Sequence, residues 1–417
     1  MKTRIYKILF LMLLLLGSTI SFGQANQDDL NAYLNVAAKN NPGLKASFNN
    51  YLAAMEKVPQ VGSLPDPKIA FTYFAQSVET RVGPQKWKAS LSQSFPWFGL
   101  LKTKKDVATN MAKAKYEIFE NAKSNLFFEV KTVYYNYYYL QRAIAITKEN
   151  IDILDIFKNL SLVKIEAGKA TIADELRVEL ELNDLQNQLA LLYDTQEVFK
   201  NNFNNLLNRN VADDIIIPVD LWQNNLPIEA DKLVDSIYNN NHLLKSIDQK
   251  IEAFNNQEVL TKKVGLPKFT VGLGFINVAE NPLSTAKDNG KNAFFPSIGL
   301  SIPIYRNKYK AMLKETVLLR EGAESEKKEK ENKLNTLNKR VLKDYKNSDR
   351  RIALNAKQAR IAKKVLDVLL TSYSTDAKDF EEVLRMERKL LTYQLAYQKA
   401  LTDKNAATAF INYLLGN

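Results

Sequence analysis

The sequence contains no cysteine and a single histidine, His242. The first absence excludes disulfides, thiolate metal centres, cysteine nucleophiles and a lipid attached through an N-terminal cysteine. The second leaves Ser-His-Asp catalysis and histidine-rich metal sites almost nothing to work with. The six methionines form no soft-metal cluster. Carboxylates are plentiful, but no pair sits in a recognisable catalytic motif and no segment reads as a cofactor site, so the expectation is a protein that is not an enzyme, with no metal and no cofactor. After residue 23 no run of eighteen apolar residues occurs, which leaves no transmembrane helix to expect.

The chain opens with a positively charged stretch containing Lys2, Arg4 and Lys7. An apolar core from Ile8 to Leu16 follows, then the small residues Ser21 and Gly23. This three-part form is that of a secretory signal peptide, residues 1–23, with cleavage before Gln24, and its apolar core is too short to span a bilayer. Its loss takes three positive charges from a formal net charge of +12. A basic balance can indicate nucleic acid, but an exported chain without a nucleic-acid motif argues for none. The expectation is an exported protein that is not a lipoprotein.

Four segments alternate with period two. Trp87, Ala89, Leu91 and Phe95 share one parity against Lys86, Lys88, Ser90, Ser92 and Ser94, with Gln93 the one polar residue on the apolar side. Phe269, Val271, Leu273 and Phe275 oppose Lys268, Thr270, Gly272 and Gly274; Phe294, Ile298, Leu300, Ile302 and Ile304 oppose Phe295, Ser297, Gly299 and Ser301. Ile69, Phe71 and Tyr73 give a fourth case. Period two means strand, and about nine to eleven residues is the length of a tilted membrane-spanning strand. The lipid-facing set is then Trp87, Leu91, Val271, Leu273, Ile298 and Leu300. Four strands cannot close a barrel, and an open edge in lipid leaves backbone groups unpaired. Either the sheet is soluble or several copies pool their strands.

"LSQSFPWFGLLKTKK", Leu91 to Lys105, and "GLSIPIYRNKYK", Gly299 to Lys310, repeat one junction. Pro96 ends the ladder because it lacks a donor. Gly99 lets the backbone turn, and Trp97 and Phe98 suit a membrane–water interface. Pro303 and Tyr305 occupy the second junction. Lysines at 102, 104 and 105 then suit water.

From about Lys105 to Glu166 there is no proline or glycine, which predicts one helix of about 90 Å. Leu126, Val130, Val133, Tyr137, Leu140, Ile144, Ile151 and Leu154 follow a heptad seam with a missing beat at Thr147. The tyrosines from Val133 to Leu140 are expected to fill helix grooves. Gly168 marks a turn, and a returning helix is expected over Ile172 to Leu207. The second half repeats this from about Lys308 to Tyr373, turns over Ser374 to Asp379, and returns from Phe380 to Leu415.

The halves also match by number. At an offset of 208, Leu176-Arg177-x-Glu179 meets Leu384-Arg385-x-Glu387, and Leu206-Leu207 meets Leu414-Leu415. At an offset of 200, Asn41 and Leu44 meet Asn241 and Leu244. The expected organisation is a first repeat over 24–208, a linker over 209–230 and a second repeat over 231–417.

This duplicated order resembles the TolC-like outer-membrane efflux proteins. So do Asn41-Pro42, the strand-to-helix prolines, the Gly168 tip and the Leu-Leu-Gly ending at Leu414 to Gly416. The resemblance implies a mostly α fold with a small transmembrane β part, in which long coiled-coil hairpins form an α-barrel. It also implies a homotrimer in which four strands per protomer make a twelve-stranded β-barrel in the Gram-negative outer membrane, in contact with its lipid, above a periplasmic helical tunnel. The implied role is a passive conduit fed by a periplasmic adaptor (membrane fusion) protein and an inner-membrane pump. The residues alone allow an alternative, a periplasmic coiled-coil scaffold with a soluble sheet. The resemblance further places a tip gate at Gly168, Asp174, Lys378, Glu382 and Arg385. Asp376 stands where the family has glycine, and Arg385 where it often has a second acid.

Overall fold

The computed structural model describes residues 27–375 and 380–417; the signal segment and Lys378 lie outside them. Its elements run α1 (Gln27–Asn40), α2 (Pro42–Gly62), β1 (Lys68–Val78), β2 (Gln85–Phe95), α3 (Leu100–Glu166), α4 (Ile172–Leu206), α5 (Leu233–Asn240), α6 (His242–Val264), β3 (Lys268–Val278), β4 (Ala293–Ser301), α7 (Arg306–Thr375) and α8 (Phe380–Leu414). The order helix, strand, strand, long helix, returning helix occurs twice. Among the described residues no helix is long and apolar enough to cross a membrane.

The chain folds into two compact units, and each draws on both halves of the sequence. Among the described residues, one gathers 27–42, 125–230, 339–375 and 380–413; the other gathers 43–124, 231–338 and 414–417.

The first unit is helical. Its core joins Leu154 and Phe157 of α3, Val178, Leu182 and Leu185 of α4, Leu366 and Tyr373 of α7, and Phe380, Leu384 and Leu391 of α8. The expected heptad seam is the buried face of α3: Leu126, Val130, Val133, Tyr137, Leu140, Ile144 and Leu154 are all buried. Thr147 fills the missing beat and is buried too, its hydroxyl without a hydrogen-bond partner. The tyrosine run packs as expected and also pins the linker. Leu221 donates its backbone N–H to the Tyr138 hydroxyl at 3.1 Å, and the Asn224 amide donates to Tyr135 at 3.2 Å. Asn405 clasps the same segment, donating to the Trp222 carbonyl at 2.7 Å and accepting from the Asn224 N–H at 2.9 Å.

The second unit holds one antiparallel sheet in the order β1-β2-β3-β4. Each half contributes a hairpin, and β2 pairs with β3 across the halves, with Leu91 opposite Leu273 and Phe95 opposite Phe269.

The duplication reappears in single contacts. Asn41 donates its side-chain amide to the Leu206 carbonyl at 2.9 Å, and Asn241 does so to Leu414 at 3.0 Å. The two acceptors, like their equivalents in the sequence, are 208 apart. Just beyond them, Asn208 and Gly416 both take positive φ, 50° and 80°, ending the two returning helices the same way.

Candidate functional site

The register places all four apolar parity sets on one face of the sheet. Ile69, Leu91, Leu273 and Pro296 form one cross-strand row, and Phe71, Ala89, Phe275 and Phe294 form the next. Gln93, Val271 and Ile298 make a third row, and Phe95, Phe269 and Leu300 a fourth. Trp87 bridges the strands, 5.7 Å from the Phe71 ring and 5.3 Å from Phe275. This face is open: Ile69 is 82% exposed and Ile298 83%, and Leu91, Val271, Leu273 and Leu300 are exposed as well. Several hundred Å² of contiguous exposed apolar surface marks an interaction or membrane surface. Gln93, the residue that breaks the pattern, donates its amide to the Pro65 and Ser94 carbonyls, which satisfies it without a partner from outside. β1 and β4 each leave one backbone edge unpaired within the sheet, and Pro296 lies in the edge strand β4, where proline is tolerated.

At the first junction Pro96 follows the last residue of β2 and Gly99 takes φ +74°. The helix α3 starts at once, at Leu100, five residues before the start expected near Lys105. Its first turn closes with Thr103, whose N–H and hydroxyl both donate to the Gly99 carbonyl. Lys263 caps the same carbonyl at 3.3 Å. Trp97 stacks on Phe269 at 5.8 Å, whereas Phe98 stays 81% exposed. At the second junction β4 ends at Ser301, short of Ile302 and Ile304, because Pro303 cannot continue the ladder. Ile304 and Tyr305 are exposed there.

At the other candidate region, Gly168 takes φ +70° just past α3. Its N–H bonds Ile165 and the next N–H, that of Lys169, bonds Lys164, which is the Schellman stop that a residue without Cβ permits. Six residues past Gly168, Asp174 accepts the Thr171 backbone N–H at 3.0 Å and its hydroxyl at 2.9 Å, capping α4. Asp174 also pairs with Arg177 at 3.2 Å, and Arg177 reaches Glu381 of α8 at 3.5 Å. Glu382 and Arg385 form an ion pair on the exposed face of α8. Lys164 is buried, donates to the Tyr373 carbonyl and lies 4.2 Å from the Tyr373 ring centroid. Of the five expected tip residues, Gly168 and Asp174 therefore meet at one turn, Glu382 and Arg385 pair on the facing helix, and Lys378 lies outside the described residues. Lys164, Arg177 and Glu381 join the two hairpins; Arg177 was quoted only as part of the repeated motif, and Lys164 and Glu381 were not singled out in the sequence. Lys164 is signalled only by its place in the last turn of α3, where a cation suits exposed carbonyls.

Glu387 was quoted only as part of the repeated motif. It is fully buried, neither carboxylate oxygen has a hydrogen-bond partner, and burial pushes its pKa up to about 7. The nearby Glu181 carboxylate adds to the rise and Arg388, paired with Glu181 at 3.0 Å, opposes it. Among the described residues no group of three or more metal-ligating side chains converges.

The profile of the outer membrane efflux protein family matches residues 33–209. No curated protein sequence matches the chain. Among solved structures, the outer membrane protein VceC of Vibrio cholerae superposes with a TM-score of 0.77 at 14% identity, covering 93% of this chain and 96% of that one. The CmeC outer membrane channel of Campylobacter jejuni gives 0.75 at 14%, covering 93% and 86%. The open state of the MtrE outer membrane channel of Neisseria gonorrhoeae gives 0.75 at 16%, covering 93% and 89%. The resemblance to TolC-like outer-membrane efflux proteins thus holds in sequence over the first half and in fold over nearly the whole described chain.

Proposed function

We propose that this chain is an outer-membrane efflux channel: a homotrimer whose four strands per protomer close a twelve-stranded barrel, with the long helices building a periplasmic tunnel. It acts as a passive conduit and performs no chemistry of its own. An inner-membrane pump and a periplasmic adaptor protein deliver its cargo. Residues 1–23 direct export and are removed, without lipidation. Residues 24–208 and 231–417 are two structural repeats joined by the segment 209–230.

The observation that carries the reading is the sheet, which has an exposed apolar face and two unpaired edges. In lipid such edges are untenable unless another strand pairs with them. Copies of the same chain supply that strand when β4 of one protomer meets β1 of the next. The helices support the same assembly. Leu354, Ile361 and Val368 of α7 are exposed at heptad spacing, as are Ile156 and Val163 of α3. Ile172, Leu176 and Leu180 expose a stripe on the side of α4 away from Val178 and Leu182. Each of these helices carries a second apolar seam beyond the one its own core uses, as helices in a closed ring require.

Carbonate extraction of membranes from cells making the full chain, followed by native mass measurement in detergent, tests the proposal. The expected result is retention in the membrane fraction as a trimer. A monomer released by carbonate would establish the soluble scaffold instead.

A further inference from the structure

We propose that the pore prefers anionic permeants, selected by lysines on the polar face of the sheet; this deepens the channel reading above and rests on it. The charged residues in the four strands are Lys68, Lys86, Lys88 and Lys268, and no strand contains Asp or Glu. The register puts Lys68 opposite Ser92, Lys88 between Thr72 and Ile276, and Lys268 opposite Ser301, all on the face away from Leu91 and Leu273. With the apolar face in lipid, this face lines the lumen. Most of its other paired positions are small: Ala70, Ser90 and Gly274 in one row, Ser92, Gly272 and Ser297 in the next. The lysines are therefore among the few side chains with reach into the pore. Phe295 and Ile276 are bulky exceptions; the Phe295 ring covers Gly274, and the Lys88 ammonium lies 5.5 Å from its centroid.

The excess charge belongs to the wall and not to the far loops, where Glu79, Glu280 and Asp288 balance Arg81, Lys287 and Lys291. It continues at the junction end, where Asp66 is outnumbered by Lys102, Lys104 and Lys105 of α3 and by Arg306, Lys308 and Lys310 of α7, and neither helix has an acid in its first turn. The three lysines that the register places on this wall make nine in a trimer. Rings of lysine or arginine select anions in pores by the field they impose between low-dielectric walls. At physiological salt that field decays over about 8 Å, so the preference should be strongest in dilute electrolyte.

The test is the reversal potential of the purified full-length protein in a planar bilayer under a tenfold KCl gradient, at low and at high mean salt. The parent is expected to reverse on the chloride side of zero, more so at low salt. K88Q and K268Q should move it toward zero, K88E with K268E should carry it to the potassium side, and K88R should behave as the parent. A parent that reverses on the potassium side overturns the proposal. So do glutamate variants of normal conductance that leave the potential unchanged, since the lysines then face elsewhere. Either result leaves the channel itself standing, whereas a parent trimer that never conducts removes the channel reading and the selectivity with it.

Discussion

Glu387 places a carboxyl group on the face of α8 that also carries Val383, Leu384, Leu390 and Leu391, its neighbours three and four residues away and all part of the core. A carboxylate without hydrogen bonds in such surroundings is costly, so the protonated form is favoured. The folded pKa, about 7, lies above the ordinary 4.5. The fold therefore holds this proton more tightly than the unfolded chain does. Stability is greatest below the unfolded value, falls as the pH rises from there through about 7, and levels off above. The loss is at most ~3 kcal/mol per protomer. Glu387→Gln removes the titration and is expected to melt higher than the parent at pH 8, with a melting temperature nearly flat between pH 5 and 8. Equal slopes for variant and parent would show that another group governs the transition. None of this is legible from the motif. The repeat-equivalent Glu179 has the same local sequence, yet its side chain is half exposed beside Lys158 at 3.9 Å. Leu176 and Leu384 differ in the same way, one exposed and one buried. Local sequence sets the helix, but the neighbouring helices decide which face is covered.

At the scale of elements the sequence carries most of the answer, because periodicity is local. Alternation assigned the named side chains of the four strands to their faces, and the absence of proline and glycine foretold α3. What alternation cannot give is partnership, so the pairing of β2 with β3 across the halves and the open edges of β1 and β4 came from the structure. Proline also reaches further than a parity count: β4 stops before Pro303 although the apolar alternation runs on to Ile304. The early start of α3 has a comparable cause, since the Gly99 carbonyl is held by Thr103 and Lys263. Face assignment has a direct test in adjacent residues of β2. Arginine at Leu91 would sit on the lipid side, at a cost of about 2–4 kcal/mol in each protomer if near the midplane. Arginine at Ser92 would point into the lumen among small residues. L91R is expected to deplete the trimer in outer membranes while S92R assembles; comparable depletion by both would mean that the apolar face does not meet lipid.

For the whole molecule the proposed channel raises the question of what keeps it shut when no cargo is delivered. The family resemblance implied that Asp174 and Lys378 take part in a gate at the tips. The structure gives Asp174 two local duties besides, capping α4 and holding Arg177, which reaches Glu381 on α8. Cap and gate can be separated because they depend on different properties of the side chain. Asparagine keeps an acceptor for the Thr171 N–H but loses the charge; alanine loses both, at about 1 kcal/mol for the cap. Exposed ion pairs contribute only ~0.2–1 kcal/mol each, but in the proposed trimer threefold repetition would make the sum enough to bias a two-state tip. If charge holds the closed state, D174N and K378A should both raise single-channel conductance, most at low salt, with thermal stability close to the parent's. D174A should conduct alike but melt earlier. The double variant D174N/K378A should add little to either single change, because the pair is already broken. A D174N channel that conducts like the parent, beside a D174A channel that only melts earlier, would reduce Asp174 to a helix cap. The closing contact would then have to be sought one turn along α8, at the Glu382–Arg385 pair.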